Sequence, residues 1–183
     1  MRDCMSFDAF RIRAFREDDT QGVFDAVEAS IPELARYETW CHPGYTEAEA
    51  EEYVSWWIRA RAEKRAFFYA VEETGSGCIV GACGLCGYSV EHRHAELGYW
   101  THAAYTGRGI ATAAARAVAR AGFEDLDLVR ISLGISVGNA ASLRIAEKLG
   151  AVREGILRNG LILPEGVTDL ISYSLIPGEL EGG

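Results

Sequence analysis

Apolar and polar residues alternate along several short stretches of this 183-residue chain, as in strands with one buried face. Residues 9–15 alternate apolar and basic side chains, which predicts a first strand. Other short, mostly apolar stretches predict six more strands: 66–72, 78–89, 94–101, 129–137, 151–162 and 167–176. We therefore expect a sheet of seven strands.

Apolar residues at helical spacing separate these strands, and four helices are predicted, over 18–30, from 46 onward, over 107–122 and over 139–150. Pro32 is a plausible stop for the first helix. Thr46 and Glu49 form a capping box that begins the second. Gly150 is expected to cap the last one. Because the elements alternate in type, we predict one mixed α/β (α+β) domain over residues 1–183.

Composition narrows the setting of the protein. Five cysteines, an odd number, and an N-terminus without an apolar signal segment favour a reduced cytoplasm. No stretch approaches the roughly 18 apolar residues of a membrane span, so no membrane partner is expected. The formal net charge of −9 argues against direct nucleic-acid binding and suits cationic partners such as amines, although solubility alone also explains it.

The candidate chemistry centres on a glycine loop, residues 107–112 (GRGIAT), that follows a strand and opens a helix. Two glycines let the backbone approach a ligand, and the unpaired amides of the helix start suit an anion such as a pyrophosphate. A nucleotide P-loop would need a Lys that is absent here. A dinucleotide fingerprint would need Gly or Ala at Thr112. Taken alone, the loop could equally hold no ligand.

The motifs around the loop resemble the GNAT superfamily of acyl-CoA-dependent N-acyltransferases, and within it the ribosomal-protein N-terminal (Rim-type) branch. Ala104 stands where the family loop has Gln or Arg, which is a departure from the pattern. The similar segments are 96–100 (ELGYW), 139–142 (NAAS) with 147–150 (EKLG), 153–158 (REGILR) and 169–175 (DLISYSL). The resemblance covers about residues 9–177, the expected core, and is weak over 30–60.

This resemblance implies a mostly antiparallel sheet whose fourth and fifth strands, 94–101 and 129–137, run parallel and splay apart. It implies acetyl-CoA as co-substrate and no metal. Glu96 would be the catalytic base, directly or through water, and Ser142 would donate a hydrogen bond to the leaving thiolate. The residues implied to bind the co-substrate are Tyr99, Trp100, Thr101, Gly107, Arg108, Gly109, Ile110, Ala111, Thr112 and Asn139. Glu96 could also be a solvated strand residue, and Asn139 a simple helix cap.

The acceptor region is the least defined part of the sequence. Tyr37 and Trp40 lie in an irregular aromatic segment and are the acceptor-site candidates. The stripe of Tyr53, Trp56 and Trp57 is expected to be core or dimer surface rather than a pocket. Cys83 and Cys86 should point to opposite faces of a strand, which argues against a metal site there.

Three functions therefore stay open. The first is acetylation of a protein N-terminus, and the second is acetylation, or succinyl-type acylation, of a small amine such as a polyamine or an aminoglycoside-like sugar. The third is a CoA-binding regulator without turnover. A homodimer is plausible, and the sequence does not name the acceptor amine or the acyl group.

Overall fold

The computed structural model of the protein describes residues 1–180. Within this part of the chain, one eight-stranded sheet has the order β1-β2-β3-β4-β5-β6-β8-β7. The strands are β1 (Cys4–Phe7), β2 (Phe10–Ala14), β3 (Phe67–Glu73), β4 (Ile79–Ser89), β5 (His94–Thr101), β6 (Arg130–Ser136), β7 (Val152–Leu163) and β8 (Gly166–Leu175). Neighbouring strands are antiparallel except β5 and β6, which run parallel. The mixed, mostly antiparallel sheet is confirmed.

The eighth strand, β1, was not expected from the sequence. It forms a hairpin with β2, in which Met5 lies opposite Ile12 and Phe7 opposite Phe10. The strand has four residues and none of them is fully buried. Four residues are too few for their alternation to be told from chance, so the prediction of seven strands was one too few.

Five α-helices flank the sheet in the described residues: α1 (Thr20–Glu28), α2 (Ile31–Leu34), α3 (Glu47–Ala62), α4 (Ile110–Leu126) and α5 (Ala140–Leu149). None of them is long and apolar enough to cross a membrane. The capping box is confirmed, because the Glu49 amide donates to Thr46 Oγ1 at 3.3 Å and the Thr46 amide donates to the Glu49 carboxylate at 2.8 Å. Gly150 caps α5 in the left-handed conformation, as expected.

The role predicted for Pro32 was wrong. The first long helix ends at Glu28, before the proline, and Pro32 lies in the first turn of the short α2. The first turn of a helix leaves its amides unpaired in any case, so a residue without an N–H fits there. Pro32 therefore begins a helix instead of ending one.

The two faces of the sheet carry separate apolar clusters, and β5 contributes to both. On one face, Leu97 packs with residues of α4 and α5. On the other face, Trp100 packs with residues of α1 and α3. Since successive residues of a strand point to opposite faces, β5 presents side chains to ligands on either side of the sheet.

A buried ion network ties α1 to the sheet. The Arg13 guanidinium on β2 donates to both carboxylate oxygens of Asp19, at 2.7 and 2.6 Å, and to Glu72 on β3 at 2.5 Å. All three side chains are less than a tenth exposed. The charges are thus paired and hydrogen-bonded where water cannot screen them.

The pairing of β5 with β6 covers only the start of β5. The paired residues are His94 with Arg130, Ala95 with Ile131, and Glu96 with Ser132. From Leu97 onward β5 pairs only with β4, on its other side, as far as Thr101. The predicted splay is confirmed, and it leaves backbone groups of β5 available to a ligand.

Candidate active site

A cavity of about 630 Å³, here called the splay cavity, opens where β5 and β6 separate. Three parts of the chain that are distant in sequence supply its walls: the end of β5, the loop before α4, and the start of α5. From the predicted co-substrate residues it takes Tyr99, Trp100, Thr101, Gly107, Gly109, Ile110, Ala111, Thr112 and Asn139. Ser142, predicted to meet the leaving thiolate, also lines it.

The glycine loop owes its sequence to backbone conformation. Gly107 and Gly109 have φ values of +75° and +79°, which residues with a Cβ rarely adopt. A Cβ at either position would have no atom within 4 Å, so the dihedral angle and not crowding requires glycine. Gly109 is the N-cap of α4, a helix of 17 residues. The first amides of this helix and its dipole therefore favour an anion in the cavity.

Arg108, alone among the predicted co-substrate residues, is outside the cavity lining. Its guanidinium lies 4.8 Å from the ring centroid of Tyr105 and donates to the Ala104 carbonyl at 2.9 Å. Three exposed cations that sequence reasoning missed line the cavity instead: Arg36, Arg144 and Lys148. The spacing of four residues between the last two, on one helix face, was the available signal.

The start of α5 brings two predicted residues into the splay cavity. Asn139 caps the helix, since its Oδ1 accepts from the Ser142 amide at 3.1 Å. The capping role is thus observed, and it uses only the oxygen of the Asn139 side chain, whose nitrogen has no hydrogen-bond partner within residues 1–180. The Tyr99 hydroxyl donates to the Ser142 carbonyl at 3.4 Å, which links β5 to α5 across the gap. Burial raises the pKa of Tyr99, so this hydroxyl stays protonated.

A second cavity of about 560 Å³, here called the aromatic cavity, lies between α3 and the ends of β4 and β5. Its rings are those of Trp40, Tyr45, Tyr53, Trp56, Trp57, Phe68, Tyr99 and Trp100. Trp57 stacks on Phe68 with centroids 4.2 Å apart, and the Trp100 indole donates to the Tyr53 hydroxyl at 3.0 Å. Three carboxylates also line the cavity: Glu38, Glu49 and Glu52. Aromatic faces and carboxylates together suit a cation.

The expectation for the aromatic stripe of α3 holds only in part. Tyr53, Trp56 and Trp57 were expected to be core or dimer surface, and all three line the aromatic cavity. Tyr53 and Trp57 also pack against the apolar cluster, so the two roles are combined. The helical period identifies an apolar face but not whether a pocket opens beside it.

The two acceptor-site candidates are placed in different cavities. Trp40 lines the aromatic cavity, with its ring centroid 5.2 Å from that of Tyr53. Tyr37 lines the splay cavity, and its hydroxyl donates to the Gly138 carbonyl at 2.9 Å. Because Gly138 lies just before α5, this bond holds the aromatic segment against the far wall of the splay cavity.

The two cavities meet at three residues that line both: Glu38, Tyr99 and Trp100. Glu38 is partly buried, and its carboxylate accepts from the Trp40 indole N–H at 2.8 Å. Burial raises the pKa of Glu38 to about 7, and the bond from Trp40 lowers it less. The order of residues in the sequence does not identify Glu38 as desolvated, because this burial arises only when the irregular segment folds.

Glu96 lies apart from this junction. It is exposed, lines neither cavity, and sits in the last residue pair that joins β5 to β6. The Cys86 thiol, which lines the aromatic cavity, donates to the Glu96 carbonyl at 3.5 Å. Desolvation by its neighbours raises the pKa of the Glu96 side chain. Glu96 is thus next to the rim of the aromatic cavity, on the sheet face that also presents Trp100.

The cysteine pair behaves as the strand geometry predicts. Cys83 is buried in the cluster under α4, whereas Cys86 faces the aromatic cavity on the opposite side of β4. In residues 1–180, no group of three or more His, Cys, Asp or Glu side chains is arranged to hold a metal ion.

A splayed pair of parallel strands, a glycine loop before a long helix and a capped helix across the gap are the features that the resemblance to the acyl-CoA-dependent N-acyltransferases implied. The family model for the acetyltransferase (GNAT) domain matches residues 10–152, and the chain belongs to this family of enzymes.

Similar proteins agree with this assignment. The protein named "Putative ribosomal N-acetyltransferase YdaF" from Bacillus subtilis (strain 168) is 29% identical over 183 residues, 100% of this chain and 99% of that protein. The solved structure of RimL, a ribosomal L7/L12 alpha-N-protein acetyltransferase in complex with coenzyme A, has a TM-score of 0.89 at 19% identity, covering 95% of this chain and 98% of that one. The ribosomal-protein-S5-alanine acetyltransferase from Vibrio fischeri has a TM-score of 0.86 at 19% identity, covering 99% and 100%. At these identities the two structures bear on the fold alone.

Proposed function

We propose that the protein transfers an acetyl group from acetyl-CoA to a primary amine, foremost the N-terminus of a ribosomal protein. The observation that carries this proposal is the meeting of the two cavities at Glu38, Tyr99 and Trp100. A donor in the splay cavity and an amine in the aromatic cavity would reach each other there. The name of the Bacillus subtilis relative supports the ribosomal acceptor.

The splay cavity suits the donor along its whole length. The open edge of β5 at Tyr99 to Thr101 offers backbone groups to the amide-bearing arm of the donor, as a partner strand would. The amides after Gly109 suit its diphosphate, and Asn139 could contact the arm from the other wall. Exposed Arg144 and Lys148 place positive charge beside the same cavity for the remaining phosphate.

The reaction in this arrangement is direct attack within a ternary complex. An amine is protonated near neutral pH and must lose a proton before its nitrogen can attack the thioester carbon. A backbone amide of β5 would polarise the thioester carbonyl. The leaving thiolate, with a reference pKa of about 8.5, would accept a hydrogen bond from Ser142. Glu96, which lines neither cavity, would act as base only through water.

A small amine is the second candidate acceptor, and the carboxylates of the aromatic cavity favour it. Glu38, Glu49 and Glu52 would attract a polyamine or an aminoglycoside-like sugar. A longer acyl group such as succinyl stays an alternative donor. A regulator that binds CoA without turnover would need no aromatic cavity, and this cavity therefore supports an enzyme.

Thiol release from acetyl-CoA tests the proposal. The acceptors are peptides with Ser or Ala N-termini, spermidine and an aminoglycoside, and succinyl-CoA is the alternative donor. We expect release with the peptides above the hydrolysis background. Release only with spermidine or the aminoglycoside would select the second candidate. Saturable CoA binding by calorimetry with no release for any acceptor would contradict the enzyme and favour the regulator.

The open edge of the sheet supports a homodimer. β7 pairs with β8 on one side only, and it carries exposed apolar side chains at Ile156, Leu157 and Ile162. An exposed apolar edge strand favours association with a second copy. Sedimentation should show about twice the 20.0 kDa mass of the chain, and a monomer at micromolar concentration would contradict the dimer.

A further inference from the structure

We infer that Glu38 accepts the proton of the attacking amine, and that the amine enters through the aromatic cavity as a cation. This inference rests on the proposed acetyl transfer and assigns a step of it to one residue. Neither the glycine loop nor the predicted base Glu96 identifies Glu38, which comes from the weakly matching segment of the sequence.

The position of Glu38 between the two cavities favours this role. Glu38 is the one carboxylate that lines both cavities in the described chain, so it lies where an amine on one side would meet a thioester on the other. One carboxylate oxygen accepts the Trp40 indole N–H at 2.8 Å. The other oxygen has no hydrogen-bond partner within residues 1–180, and Glu38 has no ion-pair partner there. A free lone pair is therefore available to an N–H of the substrate.

The groups around Glu38 also favour this role. Three titratable groups interact electrostatically with Glu38 and are neutral: Cys41 in the same segment, Tyr53 from α3 and Tyr99 from β5, whose pKa values are raised above their ordinary values, chiefly by burial. The charged groups that share its cavities are Glu33, Arg36, Glu49, Glu52, Arg144 and Lys148. A carboxylate with a pKa of about 7 is a far better base near neutral pH than an ordinary one.

The other carboxylates fit the role less well. Bonds from Thr46 and His42 lower the pKa of Glu49, which makes it a weaker base. Glu52 is exposed on the outer wall of the aromatic cavity and does not line the splay cavity. Glu96 lines neither cavity.

Proton transfer to Glu38 comes before the attack on the thioester. The ammonium group lies against the ring faces of the aromatic cavity and gives one proton to Glu38. The neutral nitrogen attacks the thioester carbon, the C–N bond forms, and the C–S bond breaks with its electron pair leaving on sulfur. The nitrogen then gives up its second proton, which passes through water to the thiolate, so that the products are the amide and the free thiol of CoA. Glu38 returns its proton to water through the open side of the aromatic cavity.

Steady-state kinetics over about pH 5.5 to 9 test the inference with Glu38→Gln, with Glu51→Gln as matched control and Glu96→Gln for comparison. Glu51 is an exposed α3 residue that lines neither cavity. We expect Glu38→Gln to lower kcat about 100-fold or more and to remove the rise in rate around pH 7. Its calorimetric affinity for CoA should stay within twofold of the unchanged protein, and Glu51→Gln should match the unchanged protein throughout.

Two outcomes would overturn the inference while leaving the proposed function intact. One is a Glu38→Gln variant with the original rate and pH profile. The other is loss of the pH 7 rise in Glu96→Gln, which would give the step to Glu96. If the unchanged protein acetylates no amine, the proposed function fails and the inference fails with it.

A second measurement does not depend on turnover. The indole N–H signal of Trp40 in the nuclear magnetic resonance spectrum should shift with pH around a midpoint near 7, because its hydrogen-bond acceptor titrates there. In Glu38→Gln this shift should vanish. An unchanged Trp40 signal between pH 5.5 and 9 in the original protein would refute the assignment even if the variants were poorly folded.

Discussion

Glu38→Gln should also change how stability depends on pH. Burial raises the pKa of Glu38 from 4.5 to about 7 in the folded chain, so the unfolded carboxyl loses its proton at lower pH than the folded one. Between these values the folded state holds a proton that the unfolded state has released. The free energy of unfolding therefore falls as pH rises through this window, and the stabilising contribution of the neutral carboxyl is lost above pH 7.

The size of this loss follows from the two pKa values. At about 1.4 kcal/mol per pKa unit, the ionisation of Glu38 costs the folded state about 3 kcal/mol between pH 4.5 and pH 7. Glutamine keeps a carbonyl acceptor for the Trp40 indole and cannot ionise. The variant should consequently gain about 3 kcal/mol relative to the original protein over this range.

Urea unfolding of both proteins at about pH 5, 6, 7 and 8 measures this gain. Every other titrating group is common to the two proteins and cancels in the difference between their unfolding free energies. Glu51→Gln serves as the control, with a difference that stays flat. A Glu38→Gln difference that changes by less than about 0.5 kcal/mol across the range would contradict the raised pKa of Glu38.

Three further changes test other parts of the structure. Gly109→Ala forces a Cβ onto a φ of +79° and should weaken CoA binding about tenfold by calorimetry, at a cost of about 1–2 kcal/mol; unaltered binding and stability would contradict this. Asp19→Asn removes the charge of one of the two carboxylates that pair with the buried Arg13, leaving Glu72, and should lower the free energy of unfolding by about 3 kcal/mol; a loss under about 1 kcal/mol would show that the Arg13–Asp19 pair is dispensable. Tyr37→Phe removes the hydrogen bond to Gly138, worth about 1 kcal/mol, and should raise the KM for acetyl-CoA about fivefold with kcat unchanged; a fall in kcat instead would place Tyr37 in the chemistry.

The local sequence pattern was sufficient to predict most of the fold. The capping box at Thr46, the glycine that ends α5 and the long strands β4, β7 and β8 follow from alternation, helical spacing and the conformational needs of single residues. The splay was implied by resemblance, and no local feature of β5 or β6 reveals it. β1 and the position of Pro32 were misjudged, because four exposed residues and one proline carry too little information.

For the candidate site too, one part could be predicted from the sequence and the other could not. Residues 107–112 and the pair Asn139 and Ser142 are set by short motifs, and the structure gathers them around one cavity apart from Arg108. The acceptor side depends on how an irregular segment folds over α3. Desolvation of a particular carboxylate depends on how the chain folds. The raised pKa of Glu38 could therefore be inferred only from the structure.

The short contact between β5 and β6 divides the sheet into two mechanical units. Strands β1 to β5 form one and β6 to β8 the other, and within residues 1–180 three residue pairs of the sheet join them. A molecule lying in the gap would contact both units and hold them together. Donor binding would then stabilise the whole sheet against unfolding. Donor binding should slow hydrogen exchange in β8, which lies one strand beyond the gap.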